Sequence, residues 1–435
     1  MVDGREISLE EIEDSLVDGD QPPRIGTARA VLCQRTFRIV FFGAFASNIG
    51  SWMQSVILGA YAYSVSHSSA FVGLIVFAQM GPQLLLSILG GVVADAVDRR
   101  RLLILVSLEQ LLFSLGLAWA CRTDHPSKGL VLLLVLAIGV GQALYAPAYS
   151  AVLPILVGRE NLPGAISLNS TQMNASRVIG PAIGGLAYHA FGPAWIFAGN
   201  AVTYLFVVAA LAAVRLPAIE TSPRHEHWLR QLTVGVRIAR SDRVVARSLV
   251  TVAAFSFLCL PFIGLMPVVA AREFGVEPRS AGYGVLYAVF GLGALAGALS
   301  IGTVLARTSK PKVVRIGLVG FACMLAVFAL IRTPAASYPV VALVGAFYFA
   351  MITALSTTMQ ERLDDRVRGR VMALWIMGFG GAVALGNLVF GPTIAALGVR
   401  PVLLFGSGVA LLLAWYADVR LAPGADGLVG SFAVE

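Results

Sequence analysis

Two acidic residues and three consecutive arginines lie in a short segment between two long apolar runs. The segment reads Gly91-Val-Val-Ala-Asp95-Ala-Val-Asp98-Arg99-Arg-Arg101. Charged side chains are costly beside a lipid bilayer, so a tight cluster of them between apolar runs indicates a functional role. A carboxylate and several guanidinium groups in one loop can form charge-assisted hydrogen bonds. The chemistry expected of this loop is therefore ion pairing at a membrane surface.

Two further ionisable residues, Glu109 and Arg177, fall inside apolar runs, where an ionisable group is a functional hypothesis by default. Glu109 is about eight residues, roughly 12 Å at helical rise, beyond Arg101, which predicts an interfacial position. We interpret it either as a proton carrier or as a structural polar contact. Arg177 lies roughly 20 Å into its span. We interpret it as a structural or gating residue, with direct substrate contact as the alternative.

The motifs give no support to enzymatic or cofactor chemistry. The four cysteines are far apart and His225-Glu226-His227 lacks a helical metal spacing, so neither a metal site nor a disulfide framework is predicted. We recognise no catalytic triad and no nucleotide-binding loop. The chain is therefore predicted to be no enzyme and to hold no cofactor or metal, which leaves an ion gradient as its energy source. A membrane sensor without transport activity is the alternative from another functional class.

The composition excludes a soluble protein, because 57% of the 435 residues are hydrophobic and only 13% are charged. Soluble domains carry roughly 25% charged residues. The net charge of +8 indicates no nucleic-acid partner, since the basic residues lie between apolar runs. A spanning helix needs about 20 apolar residues. Twelve runs satisfy this requirement: 37–63, 69–94, 102–121, 129–151, 164–190, 194–215, 246–271, 280–306, 313–333, 337–358, 370–396 and 399–419.

The basic residues orient these spans. If the N-terminus is cytoplasmic, 25 basic residues fall in inner segments, 6 fall in outer segments, and Arg177 lies within a span. The excess predicts that both termini are cytoplasmic in a multi-pass protein of the bacterial cytoplasmic (inner) membrane. The predicted domains are a disordered tail (1–35), a six-helix bundle (36–215), a cytoplasmic linker with an amphipathic helix (216–245), a second six-helix bundle (246–420) and a C-terminal tail (421–435).

Two sequence patterns resemble those of the major facilitator superfamily, in particular its drug and siderophore exporter branch. The charged loop matches motif A of that superfamily at Gly91, Asp95, Arg99 and Arg100. It departs from the motif at Ala96 and Asp98. The stretch Arg177–Gly185 resembles motif C, at Gly180, Pro181, Gly184 and Gly185. The resemblance covers residues 36–420 and implies an all-α fold of 12 transmembrane helices, arranged as two six-helix bundles of 3+3 inverted repeats.

The resemblance also implies roles for the two motifs. Asp95 would reach the start of the eleventh span in the other half, where Arg368 and Arg370 offer charge-assisted partners. This latch would close the inner side and open again during alternating access. The alternative is a loop that only determines topology. The motif C face would pack on the eighth span, with Gly293 and Gly297 as the complementary small residues.

A substrate cavity between the halves is a further implication of the resemblance, lined by the first, fourth, seventh and tenth spans. Its candidate residues combine aromatic and uncharged polar groups, which suits an amphipathic ligand. They are Asn48, Gln54, Gln142, Tyr145, Phe255, Phe257, Phe262, Phe347 and Tyr348. Each of them is also a candidate for ordinary helix packing.

The predicted function is secondary active transport. The leading hypothesis is proton-coupled export of an amphipathic small molecule, either a drug or a siderophore-like metabolite, by a monomer that uses Asp95 or Glu109 for coupling. The alternative within transport is movement of a lysophospholipid or another lipid between leaflets. The expected partners are thus the cargo, protons and the lipid bilayer.

Overall fold

The structure is a computed structural model that describes residues 26–84, 86, 97–123, 126–158, 160–214 and 228–417, apart from the side chains of 228–232 and 365–366. Over these ranges the chain forms helices and no β-strand. The predicted N-terminal and C-terminal tails fall mostly outside the described residues. In the first half the helices are Ala28–Cys33, Arg35–Ser66, Ser69–Met80, Arg99–Ala120, Lys128–Val157, Leu162–Phe191 and Pro193–Ala213.

The second half begins with a helix that corresponds to the predicted amphipathic linker helix. Its helices are Trp228–Ser241, Arg243–Leu258, Pro261–Gly264, Met266–Phe274, Ala281–Ser300, Lys310–Leu330, Pro334–Gln360, Asp365–Ile376, Ala382–Leu397 and Val399–Tyr416. A π-helical turn at Met377–Gly381 connects two of them.

Nine of the described helices are long and apolar enough to cross a membrane. Three more helices, Arg35–Ser66, Ser69–Leu84 and Leu162–Phe191, occupy the predicted first, second and fifth spans. Together they give twelve spans, named first to twelfth in chain order below. The fifth span is less apolar because it carries a run of Ser, Thr, Asn and Gln residues in its first half. The all-α polytopic architecture expected from the sequence is confirmed.

Two spans are not continuous α-helices. The seventh comprises Arg243–Leu258, Pro261–Gly264 and Met266–Phe274, and prolines open the second piece and follow the first residue of the third. Proline lacks a backbone N–H and favours such breaks. The eleventh span contains the π-helical turn, where Gly381 packs against Leu84 of the second span. Single π-turns within α-helices frequently mark functional positions.

The buried apolar residues show how the halves are arranged. One core is continuous across both halves and includes Ile57 and Ile75 of the first half with Val268 of the second. These first-half residues lie toward the predicted outer ends of their spans. A second core belongs to the first half alone and includes Leu103 and Val152, toward the predicted inner ends. The halves therefore share a core at the predicted outer end, whereas the inner end of the first half has its own core.

The linker helix Trp228–Ser241 packs along the beginning of the eleventh span. A Cβ atom on Gly235 would lie 3.2 Å from the carbonyl oxygen of Arg370. Just after this helix, Asp242 accepts a hydrogen bond from Arg362 at 2.9 Å, and both side chains are largely buried. The linker helix is thus attached to the second half.

Candidate gates and substrate pathway

The fifth span presents its motif C glycines to two different neighbours. Gly180 and Gly184 face the first span, where added Cβ atoms would meet Trp52 and Met53. Gly185 faces the eighth span, and its backbone lies directly against that of Gly284. Because small residues allow this close approach, the contact joins the two halves near their predicted outer ends.

The prediction that motif C packs on Gly293 and Gly297 of the eighth span is wrong. Gly293 and Gly297 lie against the backbone of Ala342 and Ala346 in the tenth span. The fifth span instead meets Gly284 and Gly291, which are seven residues apart and so share one helix face. The Gly293–Gly297 face points away from the fifth span because two residues turn an α-helix by about 200° relative to Gly291.

A second contact between the halves joins the second and eleventh spans. The Ser69 hydroxyl donates a hydrogen bond to the Gly391 carbonyl oxygen at 2.8 Å, and both residues are buried. One turn further along, Gly73 packs on the backbone of Asn387. Sequence reasoning missed this seam, although the spacing of Ser69 and Gly73 is the small-residue pattern that favours close helix packing.

The structure describes the charged loop in part. Gly91 and Asp95 lie outside the described residues, so the latch they would form stays a prediction. Asp98 is the N-cap of the third span, where its carboxylate accepts hydrogen bonds from the backbone N–H groups of Arg100 and Arg101 at 2.9 and 3.1 Å. Asp98, at which the loop departs from the family pattern, therefore caps the N-terminus of the third span.

The two described motif A arginines bind carbonyl groups of their own half. Arg99 donates to the Ala151 carbonyl oxygen of the fourth span at 3.1 Å. Arg100 donates to the carbonyls of Leu211 and Ala212 at 2.8 and 3.2 Å. These two carbonyls belong to the last turn of the sixth span, and carbonyl groups in the last turn of a helix have no N–H donor within that helix. The arginines thus tie the start of the third span to the inner ends of its neighbours.

The predicted partners in the second half lie on the helix Asp365–Ile376. Arg368 donates a hydrogen bond to the Leu363 carbonyl oxygen at 3.2 Å. Both Arg368 and Arg370 have further interactions within the structure. Both lie in the first two turns of this helix, which begins the eleventh span, and their pairing with Asp95 stays a prediction.

Glu109 lies near the middle of the third span, ten residues after Arg99 and eleven before Ala120. The arginines form the first turn of this 22-residue helix, and the interfacial position of Glu109 stays a prediction. One carboxylate oxygen of Glu109 is buried without a hydrogen-bond partner in the described structure. The carboxyl group packs against Gly141 of the fourth span. An unpartnered carboxyl group in apolar surroundings favours its neutral, protonated form.

A polar network surrounds Gln54 within the first half. The Gln54 side-chain oxygen accepts hydrogen bonds from Ser114 at 3.2 Å and from Asn200 at 2.9 Å. Nearby, the Gln110 amide donates to the Gln142 oxygen at 3.0 Å. These contacts join the first, third, fourth and sixth spans. Two predicted cavity residues, Gln54 and Gln142, therefore bind other helices of their own half.

The aromatic cavity candidates also pack mostly within their own halves. Tyr145 stacks on Tyr149 with ring centroids 5.7 Å apart. In the second half, Phe255 stacks on Tyr348 at 5.9 Å, and Phe262 lies 6.1 Å from Phe321. All of these rings except Tyr149 and Phe321 were candidates from the sequence, and all are buried.

Four candidates are partly accessible, and Gln142, described above, is one of them. Asn48 is half-buried, Phe257 lies edge-on to Phe390 at 6.2 Å, and the Phe347 ring packs against Gly320 of the ninth span. As substrate contacts, the nine cavity positions stay predictions.

Arg177 lies near the middle of the fifth span between two aromatic rings. Its guanidinium carbon is 5.2 Å from the Trp52 ring centroid and 5.5 Å from the Phe349 ring centroid. Trp52 belongs to the first half and Phe349 to the tenth span of the second. The buried Nε atom of Arg177 has no hydrogen-bond partner in the described structure. Arg177 thus forms a cation–π bridge between the halves near the middle of the fifth span.

A profile of the transmembrane secretion effector family matches residues 26–425. This match spans all of the helices described above. The chain belongs to the transmembrane secretion effector family. It is a transporter of the major facilitator superfamily, with its fold of membrane-spanning helices, as the two motifs predicted. Efflux transport across a membrane, by a multi-pass protein, is therefore the general activity of this chain.

This secretion effector is similar to curated exporters from enteric bacteria. It is 29% identical to the enterobactin exporter EntS of Shigella boydii serotype 4 over 342 residues, which cover 78% of this chain and 80% of the relative. The identity and coverage are the same for the enterobactin exporter EntS of Escherichia coli O9:H4. These relatives are transporters and not enzymes.

Solved structures share the fold of this secretion effector at low sequence identity. The nucleoside transporter NupG has a TM-score of 0.71 at 13% identity, and the alignment covers 88% of this chain and 98% of NupG. A bacterial homologue of the lysosomal transporter Spinster has a TM-score of 0.68 at 15% identity, with 90% and 99% covered. These similarities show that the helices are arranged as in major facilitator transporters.

Proposed function

We propose that this protein exports a siderophore-like amphipathic molecule from the bacterial cytoplasm by proton-coupled alternating access. The observation that carries the proposal is the similarity to enterobactin exporters, which covers about four-fifths of both chains. The protein resides in the cytoplasmic membrane with both termini inside, as the distribution of basic residues indicates.

The arrangement of the halves supports alternating access. The Gly185–Gly284 and Ser69–Gly391 contacts join the halves toward the outer end. The first half has a separate apolar core toward the inner end. A transporter whose halves are joined at the outer end can open on the inner side and receive cargo from the cytoplasm. Asp95 then closes the inner side by reaching the N-terminal turn of the eleventh span, where the helix dipole favours a carboxylate.

The environment of Glu109 supports proton coupling. Its carboxyl group lies near the middle of the third span and has an unpartnered, buried oxygen. A carboxyl group in this environment takes up or releases a proton as its access to water changes. Glu109 is therefore our first candidate for the proton carrier, with Asp95 as the second.

The experiment is enterobactin export from cells that lack other siderophore exporters, with and without this protein, before and after a protonophore collapses the proton gradient. We expect secretion that requires both the protein and the gradient. Unchanged secretion, combined with uptake of lysophosphatidylethanolamine into spheroplasts, would replace this proposal with the lipid-transport alternative.

A further inference from the structure

We propose that Arg177 binds an anionic group of the cargo, so that the protein selects amphipathic anions over their neutral counterparts. The site is a small recess between the halves, formed by the fifth, eighth and tenth spans. Its lining includes Asn174, Arg177, Gly291, Leu295, Ala298 and Phe349. This inference rests on the proposed transport function and assigns the chemical class of its cargo.

The recess lies on the cytoplasmic side of a close helix crossing. A Cβ atom on Gly291 would lie 3.4 Å from the Arg177 carbonyl oxygen, so the backbones of the fifth and eighth spans nearly meet there. From this crossing the recess extends one turn along the fifth span to Asn174 and two turns along the eighth span to Ala298. Both directions lead toward the predicted inner ends of these spans. Cargo that enters from the cytoplasm would therefore meet Arg177 before the outer seam.

The positive charge of Arg177 is not neutralised by the protein. Within the described residues no carboxylate lies within ion-pair distance of its guanidinium group, and its Nε donor is unsatisfied. Its neighbours are the faces of Trp52 and Phe349. Cation–π contacts offset only part of the penalty for burying a charge, so an unpaired guanidinium group in a membrane span remains costly. A bound anion would supply the missing partner.

The chemistry of the lining defines the class of ligand. A guanidinium group offers a planar fork of donors that matches carboxylate, sulfonate or phosphate oxygens. The neighbouring walls are apolar and include Ala294, Leu295 and Phe349. They would have to separate to admit an alkyl or aromatic body, because the recess itself has room for about one water molecule. A cation would be repelled, and a neutral molecule would leave the guanidinium unpaired. The site therefore favours a molecule with an anionic head and an apolar body.

The test compares two probes that differ in charge and little else, 4-octylbenzenesulfonate and 4-octylbenzenesulfonamide. Binding to the purified full-length protein in detergent is measured from the concentration dependence of the thermal unfolding midpoint. We expect the wild type to bind the sulfonate at least tenfold more tightly. Arg177→Gln should weaken sulfonate binding by about tenfold to a hundredfold, the effect of losing a charge-assisted hydrogen bond, and leave sulfonamide binding unchanged.

A second pair of variants keeps Arg177 in place. Asn174 is half-buried in the same recess, and its amide donates to the Ser170 carbonyl oxygen at 3.0 Å. Asn174→Asp adds a negative charge one turn from the guanidinium and should weaken sulfonate binding at least tenfold. Asn174→Leu, which keeps the size without the charge, should not. If Arg177→Gln fails to fold, these two Asn174 variants still test whether Arg177 binds the anionic group.

Three results would overturn the inference: equal affinity of the wild type for both probes, equal weakening of both probes by Arg177→Gln, or no effect of Asn174→Asp. Equal weakening would show that Arg177 only holds the halves together. The assay measures binding and not export, so failure of enterobactin secretion would refute the transport proposal separately.

Discussion

Gly185 of the fifth span and Gly284 of the eighth span meet backbone to backbone, so closely that a Cβ atom on either residue would overlap the Cα atom of the other. The two residues belong to different halves of the transporter. Their contact is closer than the crossing at Gly291, where an added Cβ atom would lie 3.4 Å from the Arg177 carbonyl oxygen. It explains why this position requires glycine on both helices, since every other residue carries a Cβ atom.

The first prediction concerns this outer seam. Gly185→Ala should prevent the halves from closing at the outer end, because the added methyl group meets backbone atoms that cannot rotate away. We expect export to fall at least tenfold while the amount of protein in the membrane stays normal. Secretion of enterobactin, normalised to membrane content, measures the effect.

Gly408→Ala is the matched control, because a Cβ atom there would meet nothing within 4 Å. It should export at the wild-type rate. If Gly185→Ala also exported at that rate, the glycine contact would not be a gate.

The second prediction concerns the inner loop, where two acidic residues have different roles. Asp95→Asn should abolish export without changing expression, because an amide loses most of its attraction to a helix N-terminus and to arginines. Asp98→Asn should be close to wild type, because asparagine caps a helix about as well as aspartate. Secretion and membrane content are measured for both variants. Full activity of Asp95→Asn would refute the latch.

The sequence predicted much of this molecule because membrane-spanning helices follow local rules. Length and apolarity located the twelve spans, and Gly180, Gly184 and Gly185 marked a packing surface. The partner of that surface was mispredicted because Gly284 and Gly293 are both glycines on the same helix. Only the rotation of the eighth span determines which of them faces the fifth.

For the two ionisable residues inside the spans, Arg177 and Glu109, the sequence predicted less about their neighbours than about their positions along the helices. The depth of Arg177 followed from counting residues along its span. Its place between Trp52 and Phe349 did not, because these three residues come from the fifth, first and tenth spans. For Glu109 the packing of its carboxyl group against Gly141 of the fourth span could not be predicted either, because it depends on how the third and fourth spans face each other.

The third prediction concerns proton coupling. Glu109→Gln should lower pH-driven export at least tenfold and preserve downhill exchange, because the amide cannot carry a proton yet retains the shape of the carboxyl side chain. Enterobactin movement in proteoliposomes, with an imposed pH gradient or in counterflow, separates the two activities. Glu109→Asp, which keeps a carboxyl group, should retain coupling. If Glu109→Gln exported at the wild-type rate in a pH gradient, another residue would have to carry the proton.

The fourth prediction concerns the ion pair that attaches the linker helix to the second half. One carboxylate oxygen of Asp242 accepts from the backbone N–H groups of Val244 and Val245, at 2.7 and 3.0 Å. The other accepts from Arg362 at 2.9 Å, and the two side chains are only 6% and 14% exposed. Asp242 therefore caps the seventh span and neutralises a largely buried arginine at the same time.

The two roles of Asp242 can be separated by substitution. Asp242→Asn keeps a helix cap and removes one ionic partner of Arg362, whose further interactions remain, so the cost should be about 2 kcal/mol, as for the loss of a charged hydrogen bond. Asp242→Ala removes the cap as well and should cost about 1 kcal/mol more. Thermal unfolding midpoints in detergent should therefore fall in the order wild type, Asp242→Asn, Asp242→Ala. Asp98→Asn, at an exposed cap, should leave the midpoint unchanged, and equal midpoints for wild type and Asp242→Asn would show that the ion pair contributes no net stability.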